Sequence, residues 1–93
     1  MQYEWDESKR TKNLKEHGVD FYSVHEFGWD SSVTIVDNRR EYDEIRFVTF
    51  GFVKNRLHVL VHTERQNAMR IISLRRANKR ETEDYEKEKN DPR

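Results

Sequence analysis

The chain contains no cysteine, which excludes disulfides and thiolate metal sites. No apolar run approaches the ~20 residues of a membrane helix and no signal peptide is visible, so a cytoplasmic protein is expected. Apolar residues are scarce as well. Only 33% of the 93 positions are hydrophobic, which fits one domain with a small core and modest stability. No internal repeat or linker divides the chain. Residues 1–93 read as one domain, in which about 88–93, with the only proline, form a tail expected to fray. A charge surplus is also missing: 18 Lys and Arg balance 18 Asp and Glu. That balance looks unfavourable for nucleic-acid binding, but net charge hides distribution.

Aromatic residues are well represented, at 12%. Trp5, Phe21, Tyr22, Phe27, Phe47, Phe50 and Phe52 can supply much of the buried area. The charges are segregated along the chain. Arg65, Arg70, Arg75, Arg76, Lys79 and Arg80 follow one another with no intervening acid, and Lys9, Arg10, Lys12 and Lys15 form a second such run. The acids gather at 41–44 and 81–91. One basic face is therefore possible on a neutral protein.

The pattern predicts an α+β fold: a small antiparallel β-sheet, in part a meander, with two N-terminal helices and a C-terminal helix. Gln2 to Trp5 reads as a first strand. Asp6 is an N-cap, and helix one runs to His17 and stops at Gly18. Its only interior aliphatic residue is Leu14, so packing alone does not explain it. Asp20 caps a second short helix, whose stripe is Phe21, Val24 and Phe27 and whose end is Gly28. Strands are expected at Ser32 to Asp37, Glu44 to Val53, Arg56 to Thr63 and Ala68 to Leu74. The polar 37–44 connection is expected to be a mobile loop, and Lys54-Asn55 and 64–67 are short enough for hairpin turns. Asn78 with Glu81 resembles a capping box that opens the last helix, anchored by Tyr85.

Lys9, Asn13 and His17 fall four residues apart on helix one and share a stripe, either a solvated face or the polar wall of a site. On the third meander strand Leu57, Val59 and Val61 alternate with His58, Leu60 and His62. His62 lies at the strand end and can exchange protons near neutrality; His25 and His58 are read as structural. Arg70, expected to share a face with Ile72 and Leu74, needs a partner or an anion there. Ser73 and Arg75 are expected opposite, with Met69 and Ile71. Cleaving RNA without a metal needs a base for the 2′-hydroxyl, an acid for the leaving oxygen and cations for the phosphate. Arg suits the last role through its planar fork. No His-x-x-x-His or carboxylate cluster suggests a metal.

These residues resemble the BrnT family of small bacterial ribonuclease toxins. The likeness runs from Tyr3-Glu4-Trp5-Asp6 through Lys9, Asn13, His17-Gly18-Val19 and Phe21. It continues at Arg46-Phe47, Gly51, Val61-His62-Thr63-Glu64-Arg65 and Arg70-Ile71-Ile72-Ser73. Arg75, Ala77, Lys79-Arg80-Glu81 and Tyr85-Glu86 complete it. Two positions depart: Glu16 stands where the family often has Lys, and Leu74 where it often has a small residue. The resemblance implies a RelE-like fold and an endoribonuclease that inhibits translation and is silenced by a BrnA-like antitoxin, in a complex with two copies of each. It further implies catalytic His62, Arg65, Arg70 and His17, with Lys9, Asn13 and Arg75 holding RNA, and neither metal nor cofactor. A non-catalytic RNA-binding module and a pure protein-interaction domain are the alternatives.

Overall fold

A computed structural model describes residues 2–38 and 44–90. It has mixed α+β architecture. Strands β1 (Gln2–Glu4), β2 (Val33–Asp37), β3 (Arg46–Val53), β4 (Arg56–Arg65) and β5 (Ala68–Arg76) form one sheet in the order β1-β5-β4-β3-β2. Helix α1 (Glu7–His17) follows β1, and α2 (Lys79–Lys89) follows β5. α2 therefore runs into the segment expected to fray, while 91–93 lie outside the described residues. Most of the connection expected as a loop, residues 39–43, also lies outside them.

Strands β2 to β5 pair antiparallel, as the alternating pattern predicts. The sheet as a whole is nonetheless mixed. β1 lies parallel to β5, with Gln2 opposite Ala68 and Glu4 opposite Arg70. Three residues are too few for alternation to reveal a partner, and a parallel pair must be closed by a long crossover, here the rest of the chain.

The second N-terminal helix is not α-helical. Phe21–Glu26 is a 3₁₀ segment capped by Asp20, and a short 3₁₀ turn, Trp29–Ser31, follows it. The reason is visible in the spacing. Phe21, Val24 and Phe27 recur every third residue, so three residues per turn keeps all three side chains on one face. All three are buried.

α1 starts where Asp6 accepts from the Ser8 N–H and ends at Gly18, whose φ of 70° lies in the left-handed region and whose N–H reaches the Leu14 carbonyl. Leu14 itself is 41% exposed. The buried residue of α1 is instead Asn13. Its amide donates to the carbonyls of Val19 and Leu74 at 2.9 and 2.7 Å and accepts from the Leu74 N–H at 3.3 Å. β1 pairs only with Ala68 to Arg70, so beyond Arg70 the Asn13 amide occupies the edge of β5 as a neighbouring strand would.

One face of the sheet is packed by α1 and the 3₁₀ segments over Leu60, Met69, Ile71 and Leu74. On the other, α2 brings Tyr85 against Leu57, Val59, Phe50 and Phe52. Between Val61 and His62 the register of β4 against β5 slips, from Ser73 to Ile71, and Ile72 is the extra residue. This bulge reverses the expected faces beyond it. Arg70 shares its face with Ser73 and Arg75, not with Leu74, and Ile71 joins Leu74 in the core.

Candidate functional site

His62 and the arginines expected to join it lie on opposite faces. His62 is paired with Phe47 and Ile71, whereas its neighbour Thr63 is paired with Arg70. Successive side chains alternate, so Thr63, Arg65 and Arg70 share the face that His62 leaves. The imidazole is 3% exposed. It stacks on Phe47 and meets the edge of Trp29. Its Nε2 shares a 2.8 Å hydrogen bond with Thr49 Oγ1, which in turn bonds Thr34 Oγ1, while Nδ1 has no partner. Burial pushes its pKa down to about 4, so the ring is neutral at pH 7. The expected convergence of His62 with Arg65 and Arg70 on one hollow is therefore not what the fold builds. β4 runs on to Arg65, so His62 is not at the strand end, and two aromatic rings roof it.

The remaining candidates divide in the same way. Asn13, expected in a wall facing RNA, has its amide committed to backbone groups. Arg75 directs its fork at Glu81, with bonds of 2.9 and 2.8 Å, and so ties β5 to the first turn of α2. Glu81 also completes the capping box with Asn78. Lys9 and His17 stay exposed on α1. With Lys12, Glu16, Ile72 and Ser73 they line a small hollow of ≈ 210 Å³ beside the β5 edge.

Arg65 and Arg70 do come together. Arg65 Nη2 donates to Glu44 Oε1 at 2.7 Å, and Arg70 Nη1 to Glu4 Oε2 at 3.0 Å. The two pairs feel one another. The Arg65 hydrogen bond holds the Glu44 carboxyl below its ordinary pKa, assisted by the fields of Arg65, Arg70 and Arg46. Glu44 and then Glu4 raise that of Arg65. Thr63, opposite Arg70 in the ladder and two residues before Arg65, is 1% exposed with an unpartnered Oγ1. The result is a lattice of two separate guanidinium–carboxylate pairs, Arg65–Glu44 and Arg70–Glu4, spread over three neighbouring strands and the segment just before β3. Arg65 and Glu44 each keep over two fifths of their side-chain surface in solvent. A lattice of this kind offers forks for phosphate oxygens and an ionised carboxylate that accepts a proton from a hydroxyl.

Glu4 and Glu44 were the residues that sequence reasoning passed over. Glu4 stands inside the Tyr3-Glu4-Trp5-Asp6 run, but only the parallel β1–β5 pairing places it opposite Arg70. Among the described residues no three His, Asp or Glu side chains gather in a way that could hold a metal, and no helix is long and apolar enough to cross a membrane.

A comparison with curated proteins finds no match. One family model, described as ribonuclease toxin, BrnT, of type II toxin-antitoxin system, matches residues 5–81. That span reaches from Trp5 through α1, every antiparallel strand and the Glu81 clamp. The chain thus belongs to the BrnT family of type II toxin–antitoxin ribonuclease toxins.

Proposed function

We propose that this chain is a metal-independent endoribonuclease with a RelE-like fold that acts in the cytoplasm, inhibits translation and is neutralised by a BrnA-like antitoxin in a 2:2 complex. The observation that carries the reading is the lattice of Arg65, Glu44, Arg70 and Glu4 in a chain of this family. RNA phosphate displaces the carboxylates from one or both forks. Arg65 and Arg70 then bind the non-bridging oxygens, where charge builds up during in-line attack. Glu44, ionised at neutral pH, takes the 2′-hydroxyl proton, and the leaving 5′-oxygen draws its proton from the solvent this face meets. Lys9 and His17 hold the backbone along α1. Here the imidazole of His62 shapes the site's support, and acid/base chemistry passes to the carboxylate.

The test is incubation of purified protein with single-stranded RNA in excess EDTA. Wild type is expected to cut. The Arg65→Ala, Arg70→Ala double variant is expected to lose ~10²–10³-fold in rate, and Glu44→Gln ~10²–10⁴-fold. Full activity in the double variant refutes this site, and loss of wild-type activity in EDTA refutes the metal-free chemistry. Tight RNA binding without cleavage makes the chain a binding module. Light scattering on the complex reads the stoichiometry.

A further inference from the structure

The arginines of the lattice are all neutralised by carboxylates. The cations at the opposite end of β5 are not. Lys54, Arg56 and Arg76 line a hollow of ≈ 550 Å³ between the end of α1, the 3₁₀ segment and the β3–β4 turn. None of the three has an ion-pair partner among the described residues. Of the two carboxylates on the rim, Asp20 is held by Arg10 at 2.9 Å, and Glu26 is exposed.

All three cations are exposed at the rim. Arg76 Nη1 lies 4.0 Å from where a Cβ on Gly18 would sit, at the negative end of the α1 dipole. Lys54 has a φ of 57°, a left-handed conformation that an L side chain adopts at a cost of ~1 kcal/mol or more. Arg56 and His58 stand on the same face of β4, two residues apart.

His58 also lines this hollow and is 5% exposed. Its Nδ1 donates to the Arg56 carbonyl at 2.8 Å. That bond fixes the tautomer and leaves Nε2 as an acceptor. Nε2 has no protein partner and is not among the buried polar atoms sealed from solvent. Burial, with the Arg76 and Arg56 charges, keeps the ring below its ordinary pKa. A neutral acceptor among three unpaired cations suits a ligand that carries a hydroxyl beside an anion. A phosphate ester next to a ribose 2′-hydroxyl has both, and the 2′-hydroxyl is what separates RNA from DNA.

We propose that this hollow is a ribonucleotide-binding subsite, in which Lys54, Arg56 and Arg76 hold a backbone phosphate and His58 Nε2 accepts from the adjacent 2′-hydroxyl. The proposal rests on the reading of the substrate as RNA. α1 runs alongside β5, with Asp6 near Arg70, Asn13 on Leu74 and Gly18 near Arg76. The subsite therefore lies about 20 Å along β5 from the arginine–glutamate lattice, and on the opposite face of the sheet. The exposed Lys9, Lys12 and His17 of α1 lie between the two. One strand of RNA reaches both only by rounding the β5 edge beside α1, where Lys9, Lys12 and His17 line the small hollow with Ile72 and Ser73.

Binding of a fluorescent RNA decamer and a DNA decamer of the same sequence tests this, in an Arg70→Ala background to suppress cutting. Arg56→Ala with Arg76→Ala is expected to weaken RNA binding about tenfold or more and to flatten the salt dependence by ~0.7 in slope for each phosphate no longer neutralised. His58→Phe is expected to erase a roughly fivefold preference for RNA over DNA, with DNA affinity unchanged. Should that variant fail to fold, the ¹⁵N resonance of His58 Nε2 reads the same hydrogen bond, moving with RNA and not with DNA. Unchanged RNA affinity and salt slope in the double variant overturn the subsite, whatever the cleavage assay shows. Loss of RNA affinity there, in a protein that cuts no RNA, supports the subsite and removes the nuclease reading alone.

Discussion

Asn13 is the position at which a structural and a substrate-binding role separate most sharply. Replacement by Ala removes two donated hydrogen bonds, to Val19 O and Leu74 O, and one accepted from the Leu74 N–H. Three backbone groups then face a site in which the side chain was only 6% exposed. A buried polar group left unpaired costs about 1–3 kcal/mol. The small hollow next to Asn13 admits some water, which places each loss near the lower bound and the total at about 3 kcal/mol. A domain of this size has roughly 5–14 kcal/mol of stability. The melting temperature is thus expected to fall by about 12–24 °C, with a matching drop in urea midpoint. Asn13→Asp sharpens the test. At pH 7 a carboxylate would oppose two carbonyls, so its folded pKa is raised above the unfolded value and the protein is less stable than with Ala. That extra loss is relieved as pH falls through the folded pKa. An Asn13→Ala protein that unfolds within ~0.5 kcal/mol of wild type, yet binds RNA poorly, would refute the anchoring role.

Gly51 is a second mechanical point. A Cβ there would come within 2.5 Å of the buried Phe27 ring, so Gly51→Ala is expected to cost about 1–3 kcal/mol, read by chemical denaturation; wild-type stability would contradict this packing. His62 imposes a pH dependence. Its folded pKa of about 4 is below the ordinary 6.5, so its contribution is complete above pH 6.5 and is lost as pH falls toward 4, by about 3 kcal/mol. His62→Gln should flatten the stability profile in that window, and an unchanged profile would refute the assignment. Arg75→Ala is expected to loosen α2, with faster amide exchange from Glu81 to Tyr85 and β4 protection retained; equal protection of α2 would count against the clamp.

The sequence revealed the meander because Leu57, Val59 and Val61 alternate with His58, Leu60 and His62 with no interruption. It revealed the caps because Asp6, Asp20 and Asn78 carry local chemistry. The rest depends on partners distant in sequence. Nothing near Asn13 announces that its amide meets Leu74, and the three-residue spacing of Phe21, Val24 and Phe27 fits a 3₁₀ turn as well as an α-helix. The bulge at Ile72 is one residue, yet it turns Arg70 from a core neighbour into a member of the lattice. The basic run from Arg65 to Arg80 read as an unopposed patch, because its counterions, Glu44, Glu4 and Glu81, come from elsewhere in the chain or the next element. The pattern was most misleading at His62, whose burial is decided by Trp29 and Phe47 rather than by its neighbours in sequence.

The parallel seam between β1 and β5 joins Gln2 to Ala68, with α1, the 3₁₀ segments and three strands between them in the chain. Glu4 therefore cannot meet Arg70 while the polypeptide is still growing and β5 has yet to be made. Local hairpins can close early, but this pairing must wait for its distant partner. The Glu4–Arg70 ion pair thus depends on a ladder that only a chain carrying both its first strand and β5 can close.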